Sequence, residues 1–148
     1  MSTSPQRLIV HLSVRDAARA IEFYVRALGA AEEFRLTEPG GKVGHAELTV
    51  GGARFMIADE YPDHGFLGPE SLGGTTVTLS LAVDDADAAA ARAIAAGATL
   101  LRPIKTEFFG ERVASLRDPF GHRWSLTQVV ETVAPDEMQR RFAAMTSG

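Results

Sequence analysis

The sequence predicts an α+β fold built from two βαβββ modules, and three observations carry that reading. The stretch GARFMI, Gly52 to Ile57, returns as GHRWSL, Gly121 to Leu126, at an offset of 69 residues; both read Gly, any residue, Arg, aromatic, any residue, aliphatic. The alternating stretches LIVHLSV (8–14) and TVTLSLAV (76–83) both run into acidic turns, and Val14 matches Val83 and Asp16 matches Asp85 at the same offset. An Ala-rich segment closed by glycine follows each of them. Agreement at several separated places marks an internal repeat, the feature that most constrains a fold.

The elements follow in order. Residues 8–14 alternate with the two-residue period of a strand. Asp16 is placed to cap a helix over Ala17–Leu28, AARAIEFYVRAL, and Gly29 to end it. Three short strands follow near 32–36, 43–50 and 53–58, the last two joined at Gly51-Gly52. Residues 59–74, rich in Gly, Pro and acidic side chains, read as a linker. The second module repeats the plan: a strand at 76–83, Asp85 as cap, a helix over Ala86–Ala96 ending at Gly97, and strands near 99–103, 112–116 and 122–129. Its last two strands meet at Asp118-Pro119-Phe120-Gly121, a turn sequence. Residues 135–145 read as a short helix with Pro135 in its first turn. One domain is thus expected over 1–134, with modules of about 7–58 and 75–130, followed by a helical tail over 135–148.

Composition narrows the function. With 45% hydrophobic residues in 148, the chain has enough apolar material for a core. A formal charge of −4 argues against nucleic acid as a partner, because phosphate binding needs clustered Lys and Arg. The absence of cysteine excludes disulfides, thiolate metal sites and cysteine nucleophiles. No apolar run is long enough to span a bilayer and MSTSPQR has no apolar leader core, so a soluble cytoplasmic protein is expected.

Each predicted strand has two faces. Val10, Leu12 and Val14; Ala46, Leu48 and Val50; Val77, Leu79, Leu81 and Val83; and Trp124 with Leu126 are the apolar sets, expected to pack on the helices through Ile21, Tyr24 and Ile94. The opposite faces carry Ile9, His11 and Ser13; His45, Glu47 and Thr49; Thr76, Thr78, Ser80 and Ala82; and Arg123, Ser125 and Thr127. Open sheet faces usually carry Lys and Glu, and this mixture of small, hydroxyl and imidazole groups suits a semi-enclosed cup better.

Paired βαβββ modules, the turn Asp118-Pro119-Phe120-Gly121-His122 and the segment VRDAARAIEFYVRALGA resemble the vicinal oxygen chelate superfamily, which includes glyoxalase I, bleomycin-resistance proteins, fosfomycin-resistance enzymes and extradiol dioxygenases. The phrases DEYPDHG and SLGGTTVTL look like its PhnB-like branch. The resemblance implies a curved mixed sheet around a cup, the glyoxalase/bleomycin resistance fold, and a homodimer. In the enzymes of that family one divalent metal sits in the cup on four strands' side chains, His or Gln alternating with Glu. Carried onto this chain, those positions are Ile9, Met56, Thr78 and Ser125. Ile9 has no donor atom, the Met56 thioether prefers soft metals, and the two hydroxyls are weak ligands for hard divalent ions.

The expected function is therefore binding of a small, partly apolar molecule in the cup without the usual metal, and no cofactor is expected. Ile9, Met56, Phe108 and Phe109 supply apolar contact; His11, His45, Glu47, Thr78, Ser80, Ser115 and Ser125 fix orientation. The alternative is a metal-dependent lyase, isomerase or dioxygenase with a displaced divalent metal on His11 and Glu47. The same pair is the candidate acid and base, since surroundings move either pKa toward neutrality. Phe108 and Phe109, with Gly110 as a hinge, read either as a lid or interface or as a packed loop. His122 and Trp124 read as structural, and Asp59, Glu60 and Asp63 as solvated charges.

Overall fold

The computed structural model describes residues 6–146. The chain divides into two compact units, Met1–Gly74 and Thr75–Gly148. Among the described residues no helix is long and apolar enough to cross a membrane.

The first unit holds β1 (Val10–Val14), α1 (Ala17–Leu28), β2 (Ala31–Thr37), β3 (Val43–Val50) and β4 (Ala53–Asp59). They form a mixed sheet in the order β1-β4-β3-β2, with β1 parallel to β4 and the other pairs antiparallel. Strand alternation sorts its faces as the sequence predicts. Leu12, Val14, Ala46, Leu48, Val50, Phe55 and Ile57 are buried together with Ile21, Phe23 and Tyr24 of α1. The Tyr24 ring meets Phe23 at 5.3 Å and Phe55 at 5.5 Å, both edge-on, the arrangement ring quadrupoles favour. Asp16 caps α1 by accepting from the Arg19 N–H at 3.1 Å, and Gly29 ends it in the left-handed conformation at φ 71°.

Residues 59–74 are more than a connection. They contain a 3₁₀ turn at Pro62–His64 and α2 (Pro69–Leu72), and they belong to the first unit. Asp59 and Glu60 are not simply solvated. Asp59 Oδ1 accepts from Ala17 N–H at 2.8 Å and its Oδ2 from Val43 N–H at 2.7 Å. The reason is elementary: the first N–H groups of a helix have no partner within it, and a carboxylate at the end of β4 supplies one. Glu60 accepts from Gly68 N–H at 2.6 Å. A Cβ on Gly68 would stand 2.7 Å from the Ser13 carbonyl oxygen, so glycine is what lets this segment lie against β1.

The second unit repeats the plan with β5 (Thr78–Ala82), α3 (Ala86–Ala96), β6 (Thr99–Leu100), β7 (Lys105–Thr106), β8 (Glu111–Arg117), β9 (Arg123–Val129) and α4 (Pro135–Thr146). The order is β5-β9-β8-β6, with β7 also paired to β8 and β5 parallel to β9. The strand predicted at 99–103 is cut short to β6 at Thr99–Leu100, and β7 follows beyond the predicted end; each is antiparallel to β8. Pro103 falls between them, and a residue without an N–H cannot continue a ladder. The helix contact differs too. α3 buries Ala86, Ala90 and Ala93, whereas Ile94, expected in the core, is 41% exposed at the edge of that stripe. Asp85 accepts from Ala88 N–H at 3.0 Å, and Gln128 Oε1 from Ala86 N–H at 2.9 Å. Gln128 stands at the position matching Asp59, so the repeat persists in how each helix N-terminus is satisfied.

The turn at Asp118 explains its own sequence. Asp118 is buried; its Oδ1 accepts from the N–H groups of Phe120 and His122, and its Oδ2 from Trp124 Nε1 at 2.9 Å. One carboxylate fixes both the turn and the indole, which lies in the core with Leu126.

Candidate functional site

Register places the polar side chains of the first sheet in rows. His11 on β1 is opposite Met56 on β4, Met56 is opposite Glu47 on β3, and Glu47 is opposite Phe34 on β2. His45, two residues from Glu47, is opposite Leu36. Strands lie about 4.8 Å apart, so His11 and Glu47 are two strands distant and do not meet directly. His45 lies between them in the contacts. Its ring stacks on His11 with centroids 6.2 Å apart and planes 20° from parallel, and its Nε2 is 3.5 Å from Glu47 Oε2. Phe34 meets the His45 ring at 5.7 Å, and Phe66 meets His11 at 6.2 Å. Glu47 also lies 3.6 Å from Arg54.

A cavity of about 310 Å³ opens beside this cluster, lined by His11, Gly44, Ala58, Asp59, Tyr61, His64 and Phe66. Gly44 and Ala58 make room. The Tyr61 hydroxyl donates to Glu38 and Lys42 Nζ lies 4.0 Å over its ring. The bond to Glu38 comes first among the causes that push the Tyr61 pKa up to about 12, so the phenol keeps its proton. His11 makes no hydrogen bond or ion pair with another described side chain. Burial first, and the neighbouring His45 second, hold its pKa below the ordinary imidazole value. The ring is therefore neutral near pH 7, with a nitrogen free to accept.

In the second sheet the corresponding row is Ser80, Ser125 and Ser115, matched across β5, β9 and β8. Thr78 is opposite Arg123, which is opposite Arg117. A cavity of about 510 Å³ is lined by Thr78, Ser80, Leu101, Arg102, Ser115, Arg123, Trp124 and Ser125.

The sequence candidates thus fall into groups. His11, His45, Glu47 and Met56 share one face of the first sheet, and Thr78, Ser80, Ser115 and Ser125 one face of the second. Ile9 precedes β1 and is 37% exposed. Phe108 and Phe109 sit edge to face at 5.2 Å, apart from both cavity linings, and Phe108 packs on Phe142 of α4 at 5.6 Å. The Phe108 carbonyl also accepts from Arg141 at 2.9 Å. Gly110 is not free to hinge there: at φ 89° its carbonyl accepts from Val130 and Glu131 N–H groups, and a Cβ would stand 2.1 Å from the Glu131 carbonyl oxygen. Sequence reading missed Tyr61 and Phe66 around His11, Phe34 against His45, and Arg102 and Arg123 around the serines. Arg123 carried a signal, since alternation already set it on the Ser125 face.

The donor set does not fit the metal of the family's enzymes. Ile9, Met56, Thr78 and Ser125 bring no imidazole and no carboxylate, and hard divalent ions need such ligands. Among the described residues no group of three or more His, Asp or Glu side chains is gathered for a metal ion.

Two mixed sheets, each backed by a helix and each made of the same strand order, are the architecture of the glyoxalase and bleomycin-resistance proteins. The chain belongs to the Glyoxalase/Bleomycin resistance protein/Dioxygenase superfamily, whose family model matches residues 8–126. An uncharacterized Mycobacterium bovis protein is 46% identical over 141 residues, 93% of each chain, and an uncharacterized Arabidopsis thaliana protein is 32% identical over 125 residues, 80% of this chain and 74% of its own. Among solved structures, TioX from Micromonospora sp. ML1 matches with a TM-score of 0.66 at 29% identity, covering 87% of this chain and 98% of its own. A PhnB protein from Bacillus cereus shares the fold, with a TM-score of 0.62 at 24% identity over 83% of this chain and 99% of its own.

Proposed function

We propose that the chain binds a small, partly apolar molecule on the His11 face of its first sheet, without the divalent metal of its enzyme relatives. The observation that carries this reading is the 310 Å³ cavity, which combines Phe66 and Tyr61 rings with the unbonded imidazole of His11. A few oriented polar groups on an apolar, aromatic wall are the usual make-up of a small-molecule site. Family membership supports the reading, since bleomycin-resistance proteins are among those the superfamily is named for.

The test is a small-molecule screen followed by ¹⁵N-detected imidazole NMR, with elemental mass spectrometry on the same untagged sample. Hits that shift the His11 ring, persist in EDTA and vanish in His11→Ala support the reading. About one metal per chain after dialysis against manganese, nickel and zinc, lost on replacing His11 or Glu47, overturns it.

A second reading rests on the protonation of His11. A neutral imidazole with no partner of its own can take a proton from a bound molecule, and Glu47 is linked to it through His45. Turnover of a screened hit, lost in His11→Gln while affinity remains, would mark His11 as a base.

A further inference from the structure

The second unit carries a feature that neither reading uses. Arg117 and Arg123 are directly opposite each other on β8 and β9. Like charges in that relation repel, and sheets normally place a carboxylate within reach. Here neither guanidinium has a hydrogen-bond or ion-pair partner among the described residues. Arg123 lines the 510 Å³ cavity, together with Arg102. Arg102 is held by a single neutral contact, Nη2 donating to Ser115 Oγ at 3.2 Å. Thr78, Ser80, Ser115 and Ser125 complete the wall with four hydroxyls, and none of the eight lining residues is Asp or Glu. Glu107, a carboxylate of the adjoining cavity, lies 3.9 Å from Lys105.

We propose that this face is an anion site for the phosphate or carboxylate group of a small molecule. The chemistry is direct. Guanidinium groups present forked donors that match the paired oxygens of such a group, and serine and threonine hydroxyls turn to donate to the remaining ones. An anion here also relieves the Arg117–Arg123 repulsion, so the unliganded face stores a cost that binding removes. In a chain of net charge −4 a cluster of unpaired arginines is not a general basic surface. It is local, walled and concave.

The test uses inorganic phosphate and, separately, acetate, titrated into ¹⁵N-labelled full-length protein at constant ionic strength made up with chloride. The expected result is saturable movement of the Ser80, Ser115, Ser125 and Arg123 amides with at least one of the two anions. The double variant Arg102→Gln, Arg123→Gln is expected to weaken it at least tenfold. Preference between the two anions assigns the group. Melting temperature supplies a second readout: in anion-free buffer Arg123→Gln is expected to melt no lower than the parent, and the rise that the bound anion gives the parent is expected to shrink. Movement that grows linearly without saturating, that chloride reproduces, or that persists in the double variant overturns the proposal. So does a clear fall in melting temperature of Arg123→Gln in anion-free buffer. The amides followed here all lie in the second unit, whereas the His11 reading is followed at the imidazole, so failure here leaves the His11 reading standing, and the reverse holds too.

Discussion

The two units are copies that agree on how to start a helix and disagree on what to put under it. Asp16 and Asp85 cap α1 and α3 in the same way, and Asp59 and Gln128 reach back to the Ala17 and Ala86 N–H groups from matching strand positions. Beneath the helices the match ends. Tyr24 and Ala93 occupy equivalent places, both buried, yet one is among the largest side chains of the core and the other is a methyl group. The polar faces part further, with imidazole and aromatic rings on one sheet and hydroxyls and guanidinium groups on the other. Backbone satisfaction tolerates few solutions, whereas a packed face or a binding face only has to agree with itself.

The strongest way to break this comparison is Tyr24→Ala. It would make the first unit resemble the second at that position, but the sheet beneath was built for a ring that touches Phe23 and Phe55. A loss of about 3–5 kcal/mol is expected, as for other fully buried aromatics, measured by urea unfolding. If the loss were near 1 kcal/mol, the first unit would be repacking around an alanine as its copy does. The reverse change, Ala93→Leu, is expected to cost about 1–3 kcal/mol by overpacking.

Next comes Asp118→Ala. It leaves the Phe120 and His122 N–H groups and the buried Trp124 indole N–H without their acceptor, and about 3 kcal/mol is expected from the cost of unmet buried donors. Trp124 is the chain's one tryptophan, so its fluorescence reports the loosened site directly. The matching turn of the first unit has no such hub. It is a tight link between paired Val50 and Ala53 with Gly51 at φ 57°, and Gly51→Ala is expected to cost about 1 kcal/mol through backbone strain alone.

A smaller contrast lies at the helix entries. Asp59→Ala frees two N–H groups, Ala17 and Val43, while Gln128→Ala frees only Ala86. Capping losses run at about 0.5–2 kcal/mol each, so the first variant is expected to lose roughly twice as much as the second in matched denaturation curves. Equal losses would mean that the Val43 bond contributes nothing.

The repeat was legible because its markers are local: Asp at the caps, glycine after each helix, and period-two alternation in the strands. The same alternation put His11, Glu47 and Ser125 on the correct faces. What alternation could not supply was distance across a sheet. It put His11 and Glu47 on one face without showing that β4 separates them and that His45 provides the link. Tyr61 and Phe66 belong to a stretch whose Gly, Pro and acidic residues read as an open linker, and only the close approach at Gly68 reveals that it folds back on β1. Arg117 and Arg123 lie on either side of a turn, so their opposition follows from register rather than from any motif.

The least disruptive probe of the two faces is pH. The surroundings of His11 lower its proton affinity, burial first and His45 second. Below the ordinary value of about 6.5 the unfolded chain takes up a proton at this position more readily than the folded one. Stability is therefore complete above that pH and declines as pH falls from there toward the lowered folded value. His11→Gln should flatten this part of the curve. If the acetate response of the second unit held constant from pH 7.5 to 5.5 while ligand binding at the first cavity fell, the two faces would be separable by a single protonation. If both fell together, His11 would be reporting on more than its own sheet.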